Sequence, residues 1–323
     1  MTKLHPARLA WPHWRANDGY SHSVNRPCTQ EVAVTPVHFP GERTAKRQRA
    51  AFALLVLGCL SSAGGSAAQT VHLKLDAGQH AEARYYPGRG DRPAVMLVHD
   101  FLATAEGTLT DALARRLARD GVALLVPTLS LGVLGRRAPL ACEAVHLHVF
   151  EQDIAELRRW VEWLLGKGRT RIVLVGQRFG GWQALALAQR LLSPALQAVI
   201  MISPRRPGQA QDLAALRTAA AQGKRELVQR PLLSCQRFVG PADSIYSYAS
   251  WDAARMLDAL SAAPIAVRAI VGGRDTSLNA AWRQRLGDAG ALVQLVPDAV
   301  DFRDPRHLAA LLELIVASLM IEG

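Results

Sequence analysis

The sequence predicts an α/β domain: a mostly parallel sheet covered by helices on both faces. Two observations carry this. From residue 94 onward, short apolar, β-branched runs alternate with longer segments whose apolar residues recur at helical spacing. One junction in that series, Gly176-Gln177-Arg178-Phe179-Gly180-Gly181, crowds glycines into the turn between a buried strand and a helix. With 323 residues, half of them apolar, the chain is long enough for one large domain or two small ones and can bury a sizeable core.

The elements follow in order. Residues 71–75 and 81–85 alternate apolar and polar and read as an antiparallel starter hairpin, ending before Pro87-Gly88. Residues 94–99 are a buried strand. Residues 108–119 carry Leu109, Leu113 and Leu117 at helical spacing. A strand over 122–126 stops at Pro127. Ile154, Leu157, Val161 and Leu164 stripe a helix over 150–165. The strand 171–175 leads through the glycine turn into the helix 182–188, and a strand over 198–203 stops at Pro204. Residues 205–250 break the rhythm. They hold an Ala-rich helix at 210–221 and an irregular part with Cys235, Pro241, Phe238, Tyr246 and Tyr248, where a lid or cap insertion would sit. A helix (251–260), strand (265–271), helix (279–286), strand (291–296) and closing helix (306–321) complete the domain.

The glycine turn has the frame of a nucleophile elbow, G-x-S-x-G, in which the central residue is held out above the sheet edge. Arg178 stands at the centre. Asp275 follows a late strand in Val271-Gly272-Gly273-Arg274-Asp275, and the loop after the last strand reads Pro297-Asp298-Ala299-Val300-Asp301-Phe302. With these pieces the chain resembles the α/β-hydrolase superfamily over roughly residues 70–320. More narrowly, it resembles a bacterial group of exported α/β-hydrolase-like proteins, on Leu97-Val98-His99-Asp100-Phe101-Leu102, Pro127-Thr128-Leu129-Ser130-Leu131-Gly132, Cys142-Glu143-Ala144-Val145-His146-Leu147-His148 and the elbow.

The resemblance implies a triad, and the departures from it matter most. Arg178 replaces the serine, Asp301 the histidine base, and Gln177 a frequent histidine before the nucleophile. Asp100 stands where a small glycine lets the oxyanion loop turn after His99, and only Asp275 keeps the expected type. The amides of Phe101 and Phe179 hold the oxyanion-hole positions. Arginine has five donors and no lone pair with which to attack. Aspartate is a weak base near neutral pH, so the serine route is closed, as is elbow-aspartate chemistry. Arg178 is expected to face Asp275 and Asp301, with Asp100 nearby. That cluster reads as a polar plug in a dead pocket, as a binding site for an acidic or a cationic ligand, or as part of a hydrolase with a non-standard nucleophile. The leading reading is a non-catalytic member; a weaker one is an interaction module using the 205–250 insertion.

Other candidates have plainer readings. His146 and His148 could share one face of a strand and ligate a metal with His99, but they read more simply as loop histidines near Cys142. Ser203 and Ser130 have no base beside them, His307 lies just past the base loop, and Trp160 and Trp163 flank the helix stripe as packing. No cofactor or metal is implied.

The front of the chain differs. Residues 1–42 show no sustained period and read as a disordered extension or an over-called start. Residues 43–68 read as a signal peptide, with a basic region (Arg43, Lys46, Arg47, Arg49), an apolar run from Ala50 to Leu60, and a small-residue site at Ser66-Ala67-Ala68. A second reading is lipoprotein processing at Val56-Leu57-Gly58-Cys59, giving a lipid anchor at Cys59. Both predict export, to the periplasm or its membrane. Cleavage after Ala68 would leave Cys142 and Cys235, which an oxidising compartment would allow to pair, or which stay as separate buried thiols. Residues 1–68 hold eight of the 38 Lys and Arg and three of the 27 Asp and Glu, leaving 30 against 24 in the mature part. That net +6 lacks a basic stripe with interleaved aromatics, which argues against nucleic acid. No stretch is long enough for an internal membrane span. The partner is a small molecule or protein that the sequence does not name.

Overall fold

The computed structural model describes residues 68–75, 80–206 and 212–321. The extension at 1–42 and all but the last residue of the predicted signal peptide lie outside the described residues. In chain order the elements are β1 (Gln69–Lys74), β2 (His80–Tyr86), β3 (Ala94–Val98), α1 (Thr108–Asp120), β4 (Ala123–Thr128), α2 (Phe150–Gly166), β5 (Ile172–Gln177), α3 (Phe179–Leu191) and β6 (Leu196–Ile202). Then come α4 (Leu213–Ala221), β7 (Val228–Leu232), β8 (Cys235–Gly240), α5 (Ala242–Ala249), α6 (Ala253–Ser261), β9 (Ala266–Gly272), α7 (Ala280–Asp288), β10 (Leu292–Val296) and α8 (Pro305–Ile321).

Eight strands form one sheet in the order β1-β2-β4-β3-β5-β6-β9-β10. β1 and β2 pair antiparallel, β2 lies antiparallel to β4, and all later pairings are parallel. The order reverses at β3, from which the chain first builds outward to β4 and then returns to β5. In such sheets the crevice beyond the carboxyl ends of the strands at this switch is where ligands sit. The elbow, at the end of β5, opens into it.

Alternation along β3 explains the two cores. Ala94, Met96 and Val98 belong to one apolar cluster, with Leu157 and Trp160 of α2 and Trp182 of α3. Val95 and Leu97 point the other way, into a cluster with Leu113 and Leu117 of α1 and Leu311 and Ile315 of α8. Every residue of β3 is buried, which is why the strand reads as a continuous apolar run. Among the described residues no helix is long and apolar enough to cross a membrane.

The insertion departs from expectation. The part read as irregular is a β7–β8 hairpin followed by α5. Gln229, Arg230 and Pro231 interrupt the apolar pattern of β7, so no period of two shows in the sequence. Contacts with the body hold the hairpin in place. Cys142 and Cys235 form a disulfide, Val145 bridges to Val239, and the His146 amide donates to the Val239 carbonyl. The next helix begins at Ala253 rather than Trp251 because the Asp252 side chain caps it by accepting from the Arg255 amide.

Candidate functional site

Arg178 sits at the apex of the turn between β5 and α3 with φ 50° and ψ −112°. Side chains rarely adopt this backbone, and holding one there costs roughly 1–3 kcal/mol. The glycines around it are required by contact. A Cβ on Gly176 would lie 2.4 Å from the Gly180 carbonyl oxygen, and one on Gly180 would lie 2.3 Å from that of His99. The turn therefore rests directly against the end of β3, which brings Asp100 under the elbow.

Asp100 makes three contacts there. Its Oδ2 accepts from Arg178 Nη1 at 3.0 Å. Its Oδ1 accepts from the Phe101 amide at 2.8 Å and from the Phe179 amide at 3.4 Å. These are the two amides for which the resemblance implied an oxyanion-hole position, and both point at the protein's own Asp100 carboxylate.

The expected pairing of Arg178 with Asp275 and Asp301 is corrected. Three separate Arg–Asp pairs form instead. Asp275 is buried; its Oδ1 accepts from the amide and hydroxyl of Ser277, and its Oδ2 lies 3.9 Å from Arg205. Asp301 turns back on its own loop, with Oδ1 accepting from the Arg303 amide at 3.1 Å and Oδ2 3.5 Å from Arg303 Nε. Local reach decides this. Each aspartate has backbone donors within two residues, and Asp100 alone also lies against the elbow. Sequence reasoning missed Arg205 and Arg303. The available signal was their place just past β6 and just past the base loop.

His99 is buried and engaged at both ring nitrogens. Nδ1 donates to the Asp100 carbonyl at 2.9 Å and Nε2 accepts from the Leu129 amide at 3.4 Å. Burial pulls its pKa down to about 4, so it is neutral and fixes the two loops beside the elbow. Gln177 and Arg178 line a cavity of about 460 Å³ together with His99, Ser203, Asp275 and Asp301. A second cavity of about 110 Å³ lies on the other side of Arg178, towards the β7–β8 turn. Arg178 and Arg205 line both.

The remaining candidates are structural by their contacts. His146 and His148 are both buried. His146 stacks on Phe238 with ring centroids 4.3 Å apart. His148 Nδ1 donates to the Tyr248 hydroxyl at 2.5 Å, which donates to Asp153 at 2.6 Å, and Gln183 donates to the same Asp153 oxygen at 2.9 Å. This chain ties α5 to α2 and α3. Among the described residues no group of three His, Cys, Asp or Glu side chains is placed to hold a metal. The Ser130 hydroxyl donates to buried Glu156 at 2.6 Å. His307, on α8, lines neither cavity beside the elbow.

No protein-family model matches the sequence, and no curated protein matches it either. Solved structures do. The α/β hydrolase GrgF from Penicillium sp. sh18 aligns with a TM-score of 0.59 at 14% identity, covering 79% of this chain and 99% of GrgF. Est1E from Butyrivibrio proteoclasticus gives 0.56 at 14%, over 78% and 98%. A thioesterase domain from the curacin biosynthetic pathway gives 0.56 at 15%, over 78% and 100%. With the strand order above, these matches establish the class: the chain has the α/β-hydrolase fold. At such identities the likeness extends to the fold and not to the chemistry of the site.

Proposed function

We propose that this protein is a non-catalytic α/β-hydrolase-fold protein with a binding or structural role. The observation that carries the reading is Asp100: its carboxylate accepts from both amides of the implied oxyanion hole and is paired with the arginine standing where a nucleophile would be. An acyl-transfer site must offer a nucleophile, a base and empty donors aimed at developing negative charge. Here the nucleophile position carries a cation, the base position an aspartate, and the donors already hold an anion. An active hydrolase using a non-standard nucleophile is the alternative. It is weakened because Ser130 is buried against Glu156 and His99 is spent on backbone contacts.

We place the protein outside the cytoplasm, secreted or lipid-anchored. The Cys142–Cys235 disulfide supports this, since such bonds persist in oxidising compartments.

The test uses short-chain p-nitrophenyl esters and a serine-directed phosphonate probe. The native chain is expected to be inert to both. Arg178→Ser with Asp301→His is expected to stay silent until Asp100→Gly is added, because the hole must first be emptied. Ester turnover by rigorously purified native protein, lost on Asp275→Asn, would refute the reading.

A further inference from the structure

Among the described residues, the lining of the smaller cavity beside the elbow carries more cationic than anionic side chains. Arg178, Arg205 and Arg206 line it, against one carboxylate, Asp100. Asp275 offsets Arg205 only from 3.9 Å and does not line this cavity. Arg178 spends one N–H on Asp100 and retains other donors in its planar fork. The rest of the lining is mostly apolar, from Phe179, Met256 of α6 and Leu233 in the β7–β8 turn. Three arginines lining a partly apolar recess favour a carboxylate over a cation, since two donors of one guanidinium fork match its two oxygens.

Asp100 demonstrates that chemistry within the molecule. One carboxylate is already held at the elbow by two backbone amides and a guanidinium. A second would meet Arg205 and Arg206, with Ser234 as a further donor at the turn. The volume of about 110 Å³ falls well under the roughly 300–1,000 Å³ of a drug-sized site. Resting on the non-catalytic reading above, we propose that this cavity binds a small monocarboxylate with a short apolar tail. The head lies on Arg205 and Arg206, and the tail lies against Leu233, Met256 and Phe179.

The experiment is calorimetric titration of the full-length chain with acetate, butyrate and octanoate at fixed ionic strength, with butylammonium and sulfate as controls. Butyrate is expected to bind more tightly than acetate, with no further gain for octanoate. Arg205→Ala with Arg206→Ala should weaken butyrate by about tenfold or more, the loss of a charge-assisted contact. Both side chains are exposed, so the variant is expected to keep the native thermal transition. A transition that falls by more than a few degrees directs the comparison to the charge-conserving pair Arg205→Lys and Arg206→Lys, which removes the bidentate forks and should weaken butyrate in the same direction. Equal binding of butylammonium, binding of sulfate as tight as butyrate, indifference to both sets of variants, or no carboxylate binding would each overturn the proposal. Ester turnover is read separately. Turnover with butyrate binding would sink the non-catalytic reading and leave the pocket standing; neither turnover nor binding would sink the pocket alone.

Discussion

Asp100→Ala tests the plugged oxyanion hole most directly. The substitution removes one charge-assisted hydrogen bond to Arg178 and two from backbone amides. The Asp100 side chain is 17% exposed and that of Arg178 is 30% exposed. The pair thus sits between surface ion pairs, worth about 0–1 kcal/mol, and buried ones, whose breaking costs about 3–5 kcal/mol. A loss of about 2 kcal/mol is expected, which for a domain of this size lowers Tm by about 4–8 °C. In an Arg178→Ala background the same substitution should cost less, with a coupling of about 1–2 kcal/mol. The vacated amides and guanidinium then form an anion receptor, so acetate should restore part of the lost Tm in Asp100→Ala and not in the double variant. A Tm within a degree of native, or a coupling below about 0.5 kcal/mol, would refute the arrangement of charges at the elbow.

Four further outcomes are expected. Gly180→Ala sets a Cβ 2.3 Å from the His99 carbonyl oxygen and should cost about 3 kcal/mol or more; an unchanged urea midpoint would contradict the elbow packing. Cys142→Ser with Cys235→Ser opens a cross-link spanning 93 residues and should cost about 2–4 kcal/mol, read as a lower guanidinium midpoint that matches the reduced native chain. Arg178→Gly relieves the positive φ while Asp100 keeps its two amides, so it should destabilise less than Asp100→Ala; the reverse order in denaturant melts would show that the plug exists for stability. The folded pKa of His99, depressed to about 4, lies below the unfolded 6.5, so its contribution is complete above pH 6.5 and is lost as pH falls towards 4, about 3 kcal/mol in all. His148, depressed to about 3, acts in the same direction, whereas Asp153 and Glu156, raised by burial, act in the opposite one. The comparison is therefore with His99→Gln, whose stability should fall less over that interval; parallel pH profiles would remove His99 from the account.

Much of the fold was legible because the residues that build it also pattern the sequence. The β-branched runs of β3 and β5 and the Leu stripes of α1 and α2 are core positions, and burial fixes both the residue types and their period. The elbow glycines were legible for the same reason, since Gly180 lies against the end of β3 and Gly176 against Gly180 and Gly181. The hairpin of the insertion was not. Its stability comes from a disulfide and a bridge to residues more than ninety positions away, and such partners leave no local period. Residues 145–148 mislead in the opposite sense: Val145 and Leu147 are exposed while His146 and His148 are buried. An alternation of period two was present with its polarity reversed, and only the cap explains which face is inside. At the site the residue types were readable and the partners were not. Three arginines and three aspartates can pair in several ways, and the choice rests on which carboxylate the backbone carries to the elbow.

The elbow itself argues against simple decay. A backbone costing roughly 1–3 kcal/mol is found at Arg178, where on the proposed non-catalytic reading no nucleophile needs presenting. Glycine at this position would remove the strain, and an unstrained turn would aim the side chain elsewhere. The strained geometry does one thing for an arginine that a relaxed turn would not: it directs the guanidinium into the crevice between two cavities, where Arg205 lines both as well. Asp100 alone does not require this, since two amides already hold its Oδ1. What the retained strain does account for is a positively charged wall at the position where the parent architecture puts its chemistry. That is the arrangement a site would keep if binding had outlived catalysis.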